Sequence, residues 1–374
     1  MHSYLMDPIH ALRGLGQSVW LDFIDHRMLA SGKLEKMIEQ DGLSGLTSNP
    51  TIFEKSIAGS TSYDDVIRSA PPSETDASIF ERIQVRDIRL ACDLFRPLHE
   101  KSGGADGFVS IEVPPSLARD TRGSIEQARK LWDKVNRRNV MVKIPGTREG
   151  LEAIETCLAD GININITLLF SVERYVEVAQ AYLRAQETRA HRGEPIDRVA
   201  SVASFFVSRV DTKVDKALDA LVGPALERGK ALRGQIAVAN AKIANAECER
   251  IVQGDRFRRL ESSGAKRQRL LWASTSTKDP AYPDTYYAEA LIGPHTVDTM
   301  TLETFRAYQD HGKPEVRLTK NGRAKEMVAA LAGLGIDFTR VTDELENEGI
   351  RLFSDSFDKA LASIADKRRA LAQR

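Results

Sequence analysis

Lys143 stands near the end of a short apolar run, residues 139–146 (NVMVKIPG), which Pro145 and Gly146 terminate. Such a run reads as a buried strand, where an ammonium is costly unless its charge is paired or its amine is wanted neutral. Desolvation disfavours the charged form of a lysine, and a neutral amine attacks ketones to give an iminium. On the octamer alone the plainer reading prevails, a strand-end lysine that snorkels its ammonium into water. Other residues shift that balance. Asp22 interrupts the apolar run 19–24 (VWLDFI), and Glu112 lies near the end of 108–113 (FVSIEV). Each acid by itself is as well explained by a helix cap or a paired core carboxylate. Asn49 precedes Pro50 at another strand end, which is ordinary turn chemistry. Asn165 and Thr167 are two apart in 161–170 (GININITLLF), hence on one face of a strand. Ser204 and Ser274 sit in two further apolar runs, 199–207 and 270–274.

A lysine among carboxylates, amides and hydroxyls suits carbonyl chemistry through an iminium. As an electron sink the iminium lets the adjacent C–C bond break without a cofactor. A base is needed at the hydroxyl of the leaving carbon and a proton shuttle is needed for the imine, so two carboxylates in different environments would divide the work. Asn49 and Asn165 would hold sugar hydroxyls, since an amide both donates and accepts. The seven histidines show no HExxH or comparable spacing, so no metal is expected. Arg209 and the 274–278 loop are the candidates for a phosphate. Alone, Arg209 reads as a solvated residue at a helix start.

The elements that must position these groups alternate strand and helix. Strands are expected at 19–24, 43–48, 108–113, 140–143, 161–170, 199–207, 270–274 and 296–300. Helices are expected at 26–40, 79–99, 124–137, 147–159 and 172–192, with a short helix in the polar segment 54–78. The charged stretch 211–264 holds two or three more, an insertion longer than one crossover needs, and a short helix covers 286–291. Helices at 302–310, 320–334 and 342–371 follow, Thr342 capping the last. A short amphipathic helix at 8–15 would lid one end. The apolar face of the last helix needs cover from the barrel or from a second subunit, so a homodimer is one expectation.

This pattern, without a break in composition, predicts an α/β fold with a single (β/α)8 TIM barrel spanning one domain, 1–374. The barrel would occupy about 19–301 and a helical extension 302–374. A doubly wound sheet would carry a Gly-rich phosphate turn after its first strand, and VWLDFIDHR has none. In a barrel the C-terminal strand ends converge on one mouth. Asp22, Asn49, Glu112, Lys143, Asn165, Thr167, Ser204 and Ser274 would then meet there, which packing alone does not explain.

Lys+Arg and Asp+Glu balance at 53 each, so no global field attracts nucleic acid or an anionic membrane. The three cysteines, Cys92, Cys157 and Cys248, are scattered and have no CxxC spacing, which suits a reducing compartment. The first sixteen residues lack a signal-peptide core and no run approaches a membrane span. A cytoplasmic location is expected.

Several of these stretches resemble the transaldolase family. GLTSNPTIF (45–53) is similar to its first signature, and VMVKIPGTREGLEAI (140–154) to the segment around its Schiff-base lysine. GININITLLFS, ASFFVSRVD, WASTSTKDPAYPD and LIGPHTVDTMT resemble later segments of its long form, in the expected order, across roughly 18–301. The resemblance implies that Lys143 forms a dihydroxyacetone iminium. It makes Asp22 the acid/base at the cleaved bond, and Glu112, through a water near Thr167, the acid/base of imine formation and hydrolysis. Asn49, Asn165 and Ser204 would hold hydroxyls, and Arg209 would bind phosphate. The implied reaction moves dihydroxyacetone from sedoheptulose 7-phosphate to glyceraldehyde 3-phosphate in the non-oxidative pentose phosphate pathway, giving erythrose 4-phosphate and fructose 6-phosphate. Related aldolases carry tyrosine and glutamine where this chain has Phe206 and Glu112, which favours transfer over release to water. A binding barrel that lost activity is the alternative from another class. Shorter family members place a second phosphate-binding arginine just after the seventh strand. This chain has Ser274-Thr275-Ser276-Thr277-Lys278, so Ser276 and Lys278 would substitute. A lysine point charge is not an arginine fork.

Overall fold

The computed structural model describes residues 7–320 and 322–373. Eight parallel strands close into a barrel in chain order: β1 Gln17–Asp22, β2 Gly45–Thr47, β3 Phe108–Glu112, β4 Val140–Pro145, β5 Ile164–Leu169, β6 Ser201–Phe206, β7 Arg269–Ala273 and β8 Thr296–Met300. The expected (β/α)8 architecture is what the chain adopts. Covered by helices outside and side chains inside, the strands are buried along nearly their whole length, as the near-continuous apolar runs require. The floor of the lumen is filled by Trp20 against Phe108, their ring centroids 6.3 Å apart. Gly45 makes room for that indole, because a Cβ there would stand 2.5 Å from its ring.

Boundaries differ where tertiary contacts outweigh local pattern. β1 starts two residues earlier than the apolar run, at Gln17, whose amide is held by the Leu291 carbonyl and the Thr296 hydroxyl at 2.9 and 3.0 Å. The segment 26–40 is two helices, His26–Ala30 and Lys33–Gln40, because Gly32 between them takes a left-handed φ of 74°. In the polar stretch the chain forms two helices, Pro50–Ala58 and Asp64–Arg68, and the next begins at Asp76 with Thr75 as its cap. The charged insertion holds four helices, Ser208–Asp219, Pro224–Lys230, Ile236–Val252 and Asp255–Ser262. Within 320–334 the helix is only Ala324–Ala330, followed by a 3-10 turn.

The last helix, Phe338–Ala372, is capped by Asp337 and not by Thr342. Thr342 lies one turn inside, its hydroxyl bonded to the Thr339 carbonyl. Its apolar face covers the chain's own barrel. Phe357 meets Phe80 edge-on at 5.2 Å, Thr51 and Ser356 share a hydrogen bond of 2.8 Å, and Gly349 passes so close to Leu168 that a Cβ would lie 2.8 Å from it. Leu168 itself interrupts β5 with a φ of 60°, beside a shift in the β5–β6 register. Among the described residues no helix is long and apolar enough to cross a membrane, and no group of His, Cys, Asp and Glu is placed to hold a metal ion.

Candidate active site

Parallel pairing puts Glu112, the last residue of β3, beside Lys143 on β4, and Lys143 beside Asn165 near the start of β5. All three are buried. The Lys143 Nζ lies 3.2 Å from Glu112 Oε2 and donates to the Ser48 carbonyl at 3.0 Å. Above it the Phe353 ring of the last helix has its centroid 5.9 Å from Nζ, so a cation there faces an aromatic π surface. The helix therefore lies over the mouth and contributes a wall to it.

Asp22 ends β1, half-buried. Its Oδ1 accepts from the Thr47 hydroxyl at 2.8 Å and from the Asn49 amide at 3.3 Å. Asn49 has a second task, its side-chain oxygen capping the helix Pro50–Ala58 through the Ile52 N–H. That cap fixes the Ser48-Asn49 turn that presents the carbonyl to Lys143. On the other side Asn165 donates to Ser110 Oγ at 3.0 Å and accepts from Ser204 Oγ at 2.7 Å, tying β3, β5 and β6 together across the lumen. Thr167 Oγ1 is buried without a hydrogen-bond partner among the described residues.

Burial raises the pKa of both carboxyls. For Asp22 it outweighs Lys143, the Thr47 and Asn49 donors and Arg209; for Glu112 it outweighs Lys143, with the charge of Asp22 adding to it. The two acids differ in partners: Asp22 has two neutral donors, Glu112 only the amine.

The phosphate candidates line the facing part of the mouth. Phe206 ends β6, and the Arg209 guanidinium sits 5.5 Å from its ring centroid. Burial lowers the Arg209 pKa, against the pull of Asp22 and of Glu348 on the last helix. Arg209 makes no ion pair among the described residues. Ser274 follows β7 with a left-handed φ of 57°, and its hydroxyl shares a 2.9 Å hydrogen bond with Ser208 Oγ. Lys278 donates to Ser276 Oγ at 2.9 Å, and its pKa is lowered by burial and then by Arg209. Lys278 therefore lies within reach of the Arg209 charge, on the same part of the mouth.

The transaldolase/fructose-6-phosphate aldolase family profile matches residues 19–364. The chain belongs to this family. It is 44% identical over 368 residues to a transaldolase of Trichodesmium erythraeum, covering 95% of this chain and 96% of that protein. It is also 44% identical over 363 residues to one of Acidothermus cellulolyticus, covering 96% of each, and 44% identical over 352 residues to one of Thiobacillus denitrificans, covering 94% and 97%.

The residues that family resemblance singled out meet in the barrel mouth: Lys143, Glu112, Asp22, Asn49, Asn165, Thr167 and Ser204 on one side, Phe206, Arg209, Ser274, Ser276 and Lys278 on the other. Four contributors went unnoticed in the sequence. Ser110 and Thr47 had a signal, since Ser110 is two residues from Glu112 on the same strand face and Thr47 ends β2. The Ser48 carbonyl and Phe353 had none, being a backbone atom and a residue about 200 positions from the lysine that only tertiary packing brings near it.

Proposed function

We propose that the chain is a transaldolase that transfers a dihydroxyacetone unit between sugar phosphates through a Schiff base on Lys143. The observation that carries this reading is the Lys143–Glu112 contact of 3.2 Å at the C-terminal ends of β3 and β4, the end at which barrel enzymes do chemistry. The relatives named transaldolase cover nearly the whole chain. In this reading the Lys143 amine, having given up a proton, adds to the donor ketone. Glu112, whose carboxyl is pushed upward by burial, moves protons to and from the carbinolamine oxygen by way of a water near Thr167. Once protonated, the carbinolamine hydroxyl leaves as water and the nitrogen lone pair forms the iminium. Asp22 then takes the proton from the hydroxyl beside the scissile bond, and the bond electrons flow into the iminium as the aldose phosphate departs. The remaining enamine adds to the acceptor aldehyde by the reverse steps, with Asp22 returning the proton. Asn165, Ser204 and Asn49 hold the hydroxyls of the three-carbon unit, and Arg209 with Lys278 binds the phosphate. Sedoheptulose 7-phosphate as donor and glyceraldehyde 3-phosphate as acceptor give erythrose 4-phosphate and fructose 6-phosphate.

Borohydride reduction with fructose 6-phosphate present should leave a covalent three-carbon adduct on Lys143, read by mass spectrometry. Lys143→Arg should lose the adduct and activity, on the order of 10⁴-fold or more, while keeping its circular dichroism spectrum. An unmodified lysine in an active preparation ends the Schiff-base proposal. Turnover of fructose 6-phosphate should require an aldose phosphate acceptor. Equal turnover without acceptor would make the protein an aldolase of the same family.

A further inference from the structure

The turn after β7 carries Ser274, Ser276 and Lys278, and between them Thr275 is buried. Its hydroxyl donates at 2.8 Å to Asp298 Oδ1 on β8. Asp298 does not face the lumen. Its neighbour Thr299 does, bonding across to Thr47 at 2.8 Å, and alternation along the strand turns Asp298 outward toward the helix layer. There the carboxyl is 0% exposed, makes no ion pair among the described residues, and has Oδ2 without a hydrogen-bond partner among them.

A carboxylate so isolated is costly, and burial pushes its pKa up to about 7, with the Thr275 hydroxyl alone pulling it down. Tyr308, on the helix Leu302–His311, is the other polar group implicated. Its buried hydroxyl also lacks a partner among the described residues, and its own pKa is raised in part by the charge of Asp298. An apolar residue would pack this layer more cheaply, and what the acid adds is its bond to Thr275. That bond matters because Ser274, with a Cβ, is held in a left-handed conformation that such residues rarely adopt. Two anchors keep it there. One is Ser208, at the start of the helix that carries Arg209, whose N–H donates to the Ser274 carbonyl at 2.9 Å. The other is the Thr275–Asp298 bond.

We infer that Asp298 is a positioning residue for the substrate phosphate: by holding Thr275 against β8 it sets the turn at Ser274 and aims Ser276 and Lys278 at the anion that Arg209 binds, without touching substrate itself. The inference rests on the transaldolase reading for the identity of the phosphate, and on the geometry alone for the anchor.

Asp298→Asn, Asp298→Leu and Thr275→Val are compared on two readouts. In the transfer assay, Thr275→Val and Asp298→Leu should raise KM for glyceraldehyde 3-phosphate about tenfold while kcat and the KM for unphosphorylated glyceraldehyde stay within about twofold. Asp298→Asn should stay within about twofold of the parent, because its amide oxygen still accepts from Thr275. Inorganic phosphate binding, followed by thermal shift, should weaken about tenfold in the same two variants and does not depend on turnover. Parallel losses with both acceptors, or phosphate affinity unchanged in Thr275→Val, would overturn the positioning role; Thr275→Val decides the matter if Asp298→Leu fails to fold. A parent that binds phosphate but transfers nothing would overturn the transaldolase reading and leave the anchor standing if the variants bind more weakly. A parent that does neither overturns both.

Discussion

The amine side of the mouth and the phosphate side are built differently. Lys143, Glu112, Asp22 and Asn165 all stand on strands. Their polar atoms are paired with one another, with Ser110, Ser204 and Thr47, or with a backbone carbonyl. Arg209 stands at a helix start and Ser274–Lys278 on the turn after β7. The amine side is held by the barrel hydrogen bonds themselves, which suits bond-making that tolerates little misplacement. The phosphate side is held by a few side-chain anchors, which suits grip on a dianion whose oxygens accept from many directions. Variants on the two sides should therefore fail in different ways.

The largest failure is expected on the amine side. Asp22→Asn keeps the shape and the hydrogen bonds from Thr47 but removes the base, so kcat should drop by about 10²–10⁴-fold with KM little changed. A kcat within about threefold of the parent would move the proton transfer to another group and blur the division. On the phosphate side, Arg209→Gln should raise KM for phosphorylated substrates by roughly 10–100-fold and lower kcat far less. Equal falls in kcat for the two variants would mean that the phosphate grip also aligns the reacting carbons, and the contrast would be wrong.

The same division decides how much could be read without coordinates. Strand-borne residues have a signal, because a polar side chain interrupting an apolar run is anomalous and the period of two assigns it a face. Lys143, Glu112, Asp22, Asn165 and Thr167 were found that way, and closure of the barrel followed from the count of runs. Three-residue β2 was legible mainly from its turn. Gln17 joins β1 only because Thr296 of β8 is beside it, a contact 279 residues away that no local window contains. Phe353 was visible only as one apolar position on a long amphipathic helix, and nothing in that periodicity says that the helix crosses the mouth. The left-handed turn at Ser274 was equally hidden, since serine gives no hint of the conformation that glycine would have announced.

A smaller effect separates the acids beside the amine from an acid on the helix that carries Arg209. Asp22 and Glu112 are buried near a lysine, whereas Asp211, on the helix Ser208–Asp219, is buried with the Ala237 N–H and the Tyr287 hydroxyl at 2.7 and 3.0 Å and has no ion pair among the described residues. Its pKa is raised from 3.8 to about 7, chiefly by burial. Between those values the folded chain holds a proton that the unfolded chain has released, so stability is fully present below the lower value and is lost as pH rises through the upper one. The slope from one such group is at most about 1.4 kcal/mol per pH unit. Asp298, raised to about 7 as well, adds a second slope of the same sign. Asp211→Asn, which can still accept from the Ala237 N–H, should make this decline shallower when urea unfolding is followed from mildly acidic to neutral pH, and adding Asp298→Asn should make it shallower again, with the buried Asp22 and Glu112 carrying a remainder of the same sign. If the single variant keeps the full slope, Asp211 is ionised in the folded chain, and the Ala237 N–H and the Tyr287 hydroxyl offset its burial.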